Sequence, residues 1–167
     1  MKNLTRRAGT ALAVTAAALS LMSPPAAAHT APGTVSDNCD VPWINCTEGD
    51  LWLFYNSKEL AVKDGKYVSA AARFYGNVNN YEGSSGYQGS TLVTYRYVFD
   101  GAANGHGQYV KNNAASVENC AGGDNYRVYY NSGYGGTSQY IGAVGWGCNW
   151  VNLIPALKNN NASQHFA

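Results

Sequence analysis

The apolar positions that follow Leu51 fall into short aromatic and β-branched runs, with polar and glycine-rich stretches between them. Asp-Gly, Asn-Gly and Gly-Gly pairs, which favour turns, separate the runs. Short runs at this spacing predict the strands of an all-β sandwich or barrel, and no window shows a sustained helical period. The predicted strands are centred on residues 51–55, 67–68, 72–75, 91–99, 109–110, 126–130, 138–141 and 150–153.

The first 50 residues differ from the rest of the chain. Three basic residues near the amino terminus precede an apolar stretch that is too short to span a bilayer, and an Ala-Ala-Ala sequence ends at Ala28. This pattern predicts a signal peptide over 1–28, cleaved after Ala28, rather than a membrane anchor, and therefore a secreted protein. Residues 29–50 contain Pro32, Pro42 and the first two cysteines, and we predict that they form an N-terminal leader loop.

Charge and composition narrow the class of protein. After removal of the signal peptide, eight Lys and Arg face ten Asp and Glu, so the mature chain is slightly acidic. A chain without a basic surplus cannot neutralise a phosphate backbone, which argues against nucleic-acid binding. The length fits one domain. We expect the mature protein to be a monomer that is not attached to a membrane once the signal peptide is removed. Aliphatic residues are few, so Tyr and Trp rings must supply much of the buried apolar area.

All four cysteines lie in the mature part of the chain. An even number of cysteines in an exported protein predicts two disulfides, for which three connectivities exist. We favour Cys39–Cys46, which closes a short N-terminal loop, and Cys120–Cys148, which closes a loop in the C-terminal half. No pair has the C-x2-C spacing of a metal site, so the cysteines are interpreted as structural.

Two short motifs recur in the same order along the chain. Phe-Tyr-Asn-Ser at 54–57 returns as Tyr-Tyr-Asn-Ser at 129–132, and Lys-Asn-Asn-x-x-Ser at 111–116 returns at 158–163. Recurrence in a fixed order predicts a duplicated unit.

The duplication divides the mature chain into unit one, about 51–117, and unit two, about 126–166. The distance between the two motifs is twice as long in unit one as in unit two. Unit one is therefore predicted to hold an insertion, around 77–94, where Gly, Ser, Asn and Tyr dominate.

A tandem of aromatic-rich units that each end in Asn-Asn-x-x-Ser resembles the βγ-crystallin family. Unit two carries the fuller hairpin motif of that family, Tyr129, Tyr134 and Gly136, whereas unit one lacks the expected glycine. The resemblance implies an all-β fold over 51–167, in which two Greek-key units form one disulfide-bonded β-sandwich. The stretches 110–117, 129–136 and 157–163 show a closer resemblance, to small secreted actinobacterial proteins related to the metalloproteinase inhibitors of this fold. This resemblance implies a non-catalytic inhibitor of an extracellular protease.

The Asn-Asn-x-x-Ser motifs are also similar to the calcium signature of the βγ-crystallin family. Asn amide and Ser hydroxyl oxygens are acceptable calcium ligands, but without a carboxylate the affinity of such a site should be modest. The alternative is that these side chains cap turns through local backbone hydrogen bonds. Ca²⁺ is therefore the one candidate cofactor. Its candidate ligands are Asn112, Asn113, Ser116, Asn159, Asn160 and Ser163.

An inhibitor needs an exposed loop that is held rigid before it binds its protease. The segment 142–149 combines flexible residues with a cysteine that a disulfide would tether, and the segment 81–89 is a second candidate. The alternative for the region around Trp146 and Trp150 is plain core packing. The candidate residues of the inhibitory loop are Gly142, Val144, Trp146, Cys148 and Asn149.

The sequence also bears on two further classes of function. An enzyme is not expected, because no nucleophile and base fall in a recognisable arrangement and His106 lies in a flexible Gly-His-Gly turn. A carbohydrate- or cell-wall-binding protein, or a toxin of the same fold, would use exposed aromatic rings; the candidates in or near the insertion are Tyr81, Tyr87, Tyr95 and Tyr97. The alternative for these rings is that they belong to the core.

Overall fold

The computed structural model describes residues 33–101 and 104–167, and these residues form mainly short β-strands. The predicted signal peptide, 1–28, lies outside the described residues. The strands are β1 (Gly33–Val35), β2 (Leu51–Phe54), β3 (Val62–Lys63), β4 (Lys66–Tyr67), β5 (Ala71–Phe74), β6 (Ser84–Gln88), β7 (Thr91–Tyr97), β8 (Ser116–Asn119), β9 (Tyr126–Asn131), β10 (Gly135–Ile141), β11 (Asn149–Asn152) and β12 (Ser163–Phe166). A single-turn helix, α1 (Lys58–Ala61), and a 3-10 turn (Asn38–Asp40) complete the secondary structure. The predicted all-β class is confirmed.

Two three-stranded groups share the same strand order and register. In the first group β2 lies between β5 and β8, and in the second group β9 lies between β10 and β12. Leu51 and Tyr126 take corresponding places, opposite Phe74 and Ile141 in the neighbouring strands. The repeated sequence motifs therefore lie at matching positions of two groups with the same antiparallel pairing.

Each group also receives a segment from the other part of the chain. Strand β11 follows β10 in sequence but pairs with β8, which gives the four-stranded sheet β11-β8-β2-β5. In the other direction, Val78 follows β5 in sequence and pairs with Gln164 of β12 through two hydrogen bonds of 2.9 Å. The Tyr81 amide continues this contact by donating to the Ala162 carbonyl at 2.8 Å. The two groups are thus joined by reciprocal exchange of one segment each.

The region predicted to hold an insertion, around 77–94, contains two kinds of structure. Val78 and Tyr81 are buried and bond to Gln164 and Ala162 at the start of β12 and just before it. The residues that follow form the β6–β7 hairpin. The polar, glycine-rich sequence therefore includes buried positions as well as a hairpin.

The segment 29–50 is not a free leader loop where it is described. Strand β1 runs parallel to β7, and the Arg73 amide donates to the Ser36 carbonyl at 2.7 Å, so the segment joins the insertion to the edge of the four-stranded sheet. Val41 is fully buried, and Trp43 meets Tyr95 edge-to-face with 5.6 Å between ring centroids. Proline and cysteine content predicted a loop, whereas tertiary pairing turned part of it into strand.

One hydrophobic cluster contains residues from both strand groups. Leu51, Leu53 and Phe74 of the first group and Val128 and Ile141 of the second belong to it. Aromatic rings supply a large part of its volume, as expected for a chain with few aliphatic residues. The largest fully buried side chains include Tyr81, Tyr97, Tyr126, Phe54, Phe74 and Phe99.

The two predicted disulfides are confirmed. Cys39 pairs with Cys46 in the N-terminal segment, and Cys120 pairs with Cys148 between β8 and β11. Cys120 and Cys148 lie one position beyond the register pair Asn119–Asn149, so this disulfide fastens the exchanged strand to its host sheet. Two disulfides are typical of proteins in an oxidising, extracellular setting.

The described residues include no helix of the length and apolarity needed to cross a membrane.

Candidate functional site

The most exposed large apolar side chain of the described residues is Trp146, in the loop between β10 and β11. Its side chain is 96% exposed, and Val144 in the same loop is also exposed. Gly145 and Gly147, which flank the tryptophan, have φ angles of 79° and 80°, a region that residues with a Cβ rarely adopt. The backbone on both sides of Trp146 therefore turns in a way that presents the ring to solvent, so the core-packing alternative does not apply to this residue.

Three contacts hold the ends of this loop. The Asn149 side-chain amide donates to the Gly142 carbonyl at 2.8 Å, and the Ala143 amide donates to Asn125 Oδ1 at 2.9 Å. The disulfide between Cys148 and Cys120 fixes the far end to β8. The structure thus brings the predicted loop residues 142–149 together as one anchored, exposed segment.

The second candidate loop, 81–89, does not form an exposed loop along its whole length. Its first residue is buried in the core, and residues from Ser84 to Gln88 form strand β6.

The predicted sugar-binding tyrosines do not share a surface. Tyr81 and Tyr97 are buried on either side of Phe74, with ring centroids 5.1 Å from it. Tyr95 packs against Trp43, and Tyr87 alone is largely exposed, at 69%. A glycan platform in the insertion is therefore contradicted for Tyr81 and Tyr97, because the small aliphatic supply draws their rings into the core.

The hairpin motif Tyr129, Tyr134 and Gly136 lies at the β9–β10 turn. Tyr134 and Gly136 both have positive φ angles, 63° and 77°, and the rings of Tyr129 and Tyr134 meet edge-to-face at 6.1 Å. The Ser163 hydroxyl donates to the Asn131 carbonyl at 2.6 Å and accepts from the Tyr134 amide at 3.1 Å. Ser163 thereby ties the hairpin to β12.

The two Asn-Asn-x-x-Ser motifs contact each other reciprocally. The Asn112 amide donates to the Asn161 carbonyl at 2.7 Å, and the Asn159 amide donates to the Ala114 carbonyl at 2.9 Å. Asn112 and Asn159 have nearly equal left-handed φ angles, 63° and 58°. These two turns therefore match in conformation and in their bonds to one another.

The side chains of the candidate calcium ligands are mostly engaged within the protein. The Ser116 hydroxyl is fully buried, donates to the Asn56 carbonyl at 2.7 Å and accepts from Trp150 Nε1 at 3.2 Å. The Asn113 and Asn160 side-chain amides each donate to a lysine carbonyl two residues earlier, at 3.3 Å. These contacts agree with the turn-capping interpretation of the motifs.

One group of metal-ligand atoms occurs among the described residues. A Glu118 carboxylate oxygen and the sulfurs of Cys120 and Cys148 lie within 4.8 Å of one another. Both sulfurs are joined in the disulfide, so they have no thiolate to offer a metal. This group is therefore not a metal centre.

Sequence reasoning missed a cluster on the outer face of the four-stranded sheet. Trp52, Glu118 and Trp150 lie side by side on β2, β8 and β11. The signal was available in part, since Trp52 alternates with the core residues Leu51 and Leu53. The role of β8 could not be found in this way, because three of its four residues are polar.

Asp50 and Tyr126 form a polar contact at the edge of the core. The Tyr126 hydroxyl donates to Asp50 Oδ1 at 2.5 Å and accepts from the Gly76 amide at 3.2 Å. Burial raises the pKa of Asp50 above its ordinary value, because desolvation outweighs the hydrogen bond from Tyr126. Burial and the neighbouring carboxylate raise the pKa of Tyr126 as well. The ionised form of Asp50 is therefore disfavoured by the fold.

We expect Asp50→Asn to be more stable than the wild type at pH 7 and similar to it at pH 3. Because the pKa of Asp50 is raised in the folded state, the carboxyl group stabilises the fold fully below its unfolded pKa. This contribution to the free energy of unfolding is lost as the pH rises through the folded pKa. The asparagine does not ionise, and its Oδ1 still accepts the Tyr126 hydrogen bond. Urea unfolding at several pH values measures the difference, and a variant that is equally destabilised at both pH values would contradict the prediction.

Comparison with known proteins gives no relative: no family model, curated protein or solved structure matches the chain.

Proposed function

We propose that this protein is a secreted, non-catalytic inhibitor of extracellular peptidases, of the metalloproteinase-inhibitor type, built from two βγ-crystallin-like Greek-key units. The matching register of the two strand groups supports the duplicated unit, and their reciprocal exchange of segments supports a Greek-key connection. The anchored loop 142–149 is the part of the molecule that would contact the protease.

The exposure of Trp146 carries the proposal. The exposed Trp146 side chain does not contribute the free energy of burial that most large apolar side chains contribute on folding. Tryptophan is also among the residues that most often dominate binding energy in protein–protein interfaces. The ring at the centre of the loop is therefore the natural anchor for an apolar pocket of a protease.

Rigidity explains how such a loop would inhibit rather than act as a substrate. The bonds of Asn125 and Asn149 and the disulfide fix the loop ends before binding, so less conformational entropy is lost in the complex. If the loop were cleaved, the same contacts would hold the new ends in place. The complex would then dissociate slowly, which is the behaviour of a stoichiometric inhibitor.

Titration of the purified secreted protein against thermolysin-like and subtilisin-like proteases tests the proposal. A sharp equivalence point is expected for at least one protease, and Trp146→Ala should weaken inhibition by more than tenfold, because it removes the anchor of the interface. Tyr87→Ala is the matched control, since it removes another exposed aromatic ring on the β6–β7 hairpin. Absence of inhibition, or equal inhibition by Trp146→Ala and the wild type, would reject the loop.

The alternative function, a calcium-binding extracellular stability or interaction module, has weaker support in the contacts. Ser116 and Ser163 both have buried hydroxyls that already donate and accept within the protein. The reciprocal bonds between the two motifs are made by backbone groups and engage the Asn161 and Ala114 carbonyls.

A further inference from the structure

The outer face of the four-stranded sheet carries a row of large side chains. The strand register places Trp150, Glu118, Trp52 and Arg73 next to one another on β11, β8, β2 and β5. Their sequence neighbours, among them Val117, point to the opposite side and are buried in the core. The row therefore belongs to the surface that the core does not use.

Glu118 lies at the centre of this row in an unusual state. The residue is only 7% exposed, yet no hydrogen bond or ion pair to its carboxylate is found in the described part of the chain. Among the described residues, Asn161 Oδ1 is the one fully buried side-chain polar atom without a hydrogen-bond partner. The Glu118 oxygens also lack a partner, so they are not fully buried and still reach solvent. Burial raises the pKa of Glu118, and Lys58 partly opposes this effect. A hydrogen-bond acceptor is thus held, without a partner in the described part of the chain, at the centre of the row.

Aromatic rings lie around this carboxylate. Phe54 is stacked on Tyr67 with 5.7 Å between nearly parallel ring centroids, and it lies 4.8 Å from the Trp150 ring. Tyr67 is 49% exposed, and its hydroxyl makes no hydrogen bond to a described residue. Trp52 Nε1 likewise donates to no group in the described ranges. The outer face therefore offers aromatic rings together with one free acceptor and two free donors.

The groups around Glu118 indicate what can bind there. The Lys58 ammonium lies 5.8 Å from the Trp150 ring centroid, and the Arg73 guanidinium lies 5.6 Å from that of Trp52. Arg73 is itself paired with two carboxylates, so the local charge does not select a charged ligand. A neutral polyhydroxylated ligand fits the acceptor and the donors together, whereas a cation cannot accept a hydrogen bond. The hydroxyls of the neutral ligand can donate to Glu118 and accept from Trp52 Nε1, while its C–H faces cover the rings.

We propose that the outer face of the four-stranded sheet binds a neutral oligosaccharide, which stacks on Trp52 and Trp150 and donates hydroxyl hydrogen bonds to Glu118. The two tryptophans lie two strands apart, about 10 Å at the usual spacing of strands, which matches a chain of linked sugar rings better than a single ring. This site shares no residue with the loop 142–149 and does not depend on the proposed inhibition.

The experiment is a calorimetric titration with β-1,4-linked hexose and N-acetylhexosamine oligosaccharides of two to six units. Saturable binding is expected for at least one series, and Trp52→Ala and Glu118→Gln should each weaken it about tenfold. Trp146→Ala is the matched control, since it removes a tryptophan outside the face and should bind as the wild type does. A peptide bearing trimethyllysine serves as the cationic probe and is expected not to bind.

Glu118→Gln also supplies its own folding control. The glutamine removes a desolvated charge, so the variant should be at least as stable as the wild type at pH 7 in urea unfolding, and it should retain any protease inhibition. Loss of oligosaccharide binding in a stable variant would support the site. Absence of binding to every oligosaccharide, binding that both substitutions leave unchanged, or preferential binding of the cationic peptide would overturn the proposal.

Discussion

Replacing both Cys120 and Cys148 by alanine should lower the free energy of unfolding by about 3.5 kcal/mol, the entropic cost of closing a loop of that length in the unfolded chain. The two cysteines are 28 residues apart in sequence. Their link fastens β11, which comes from the second half of the chain, to β8 of the first group. The variant therefore loses both a restriction of the unfolded state and an anchor of the exchanged strand. Urea unfolding of the oxidised wild type and the double variant measures the change.

The matched control is the double variant Cys39→Ala/Cys46→Ala. These cysteines are 7 residues apart, so the same relation predicts a smaller loss, about 2.5 kcal/mol. The two variants should also differ in inhibition, because only Cys148 anchors the loop that carries Trp146. At a temperature where both variants are folded, the control should inhibit like the wild type, whereas the Cys120/Cys148 variant should inhibit weakly. A larger loss of stability in the control would contradict the assigned role of the longer loop.

The sequence predicted those strands in which apolar residues decide the local pattern. The alternating or continuous burial that is typical of a strand occurs in Leu51–Phe54, Ala71–Phe74 and Tyr126–Asn131. The apolar runs at these positions predicted all three strands. The runs at 91–99 and 150–153 also coincide with strands to within two residues. In contrast, Tyr109-Val110 forms no regular strand, since Tyr109 makes an isolated bridge to Val98.

Two of the missed strands, β8 and β12, have buried positions that are polar. In β8, Asn119 is fully buried because its side chain donates to the Asp124 and Ile141 carbonyls. In β12, Gln164 is fully buried because its amide group bonds Tyr81 and Gly76. Three of these four partners are 22 to 88 residues away in sequence. A local pattern of hydrophobic and polar residues contains no record of such distant partners.

The candidate site shows the same division between local and distant causes. The loop 142–149 could be predicted because glycines, a tryptophan and a cysteine are adjacent in sequence. The outer-face cluster could not, since Trp52, Glu118 and Trp150 come from three separate segments that only the strand register brings together. The calcium-like motifs were recognised by their residues, but the bonds that occupy the serine hydroxyls depend on the neighbouring hairpins.

Substitution of Ser116 or Ser163 by alanine should destabilise the fold by about 2–3 kcal/mol in the absence of calcium. Each hydroxyl is fully buried and joins two groups, a carbonyl at the end of the neighbouring strand and an N–H donor. Alanine removes two hydrogen bonds at once, the one donated to the Asn56 or Asn131 carbonyl and the one accepted from Trp150 Nε1 or the Tyr134 amide, so their costs add. Thermal and urea unfolding in excess chelator measures the effect.

The same variants decide between the structural and the calcium-ligand roles of the serines. Ser132→Ala is the control, because Ser132 is exposed and bonds only the Asn80 side chain, so its loss should change stability by less than about 0.5 kcal/mol. If the hydroxyls are structural, Ser116→Ala and Ser163→Ala are destabilised equally with calcium and with chelator. If they are calcium ligands, both variants match the wild type in chelator and lose only a calcium-dependent rise in melting temperature. The buried bonds of both hydroxyls lead us to expect the first result.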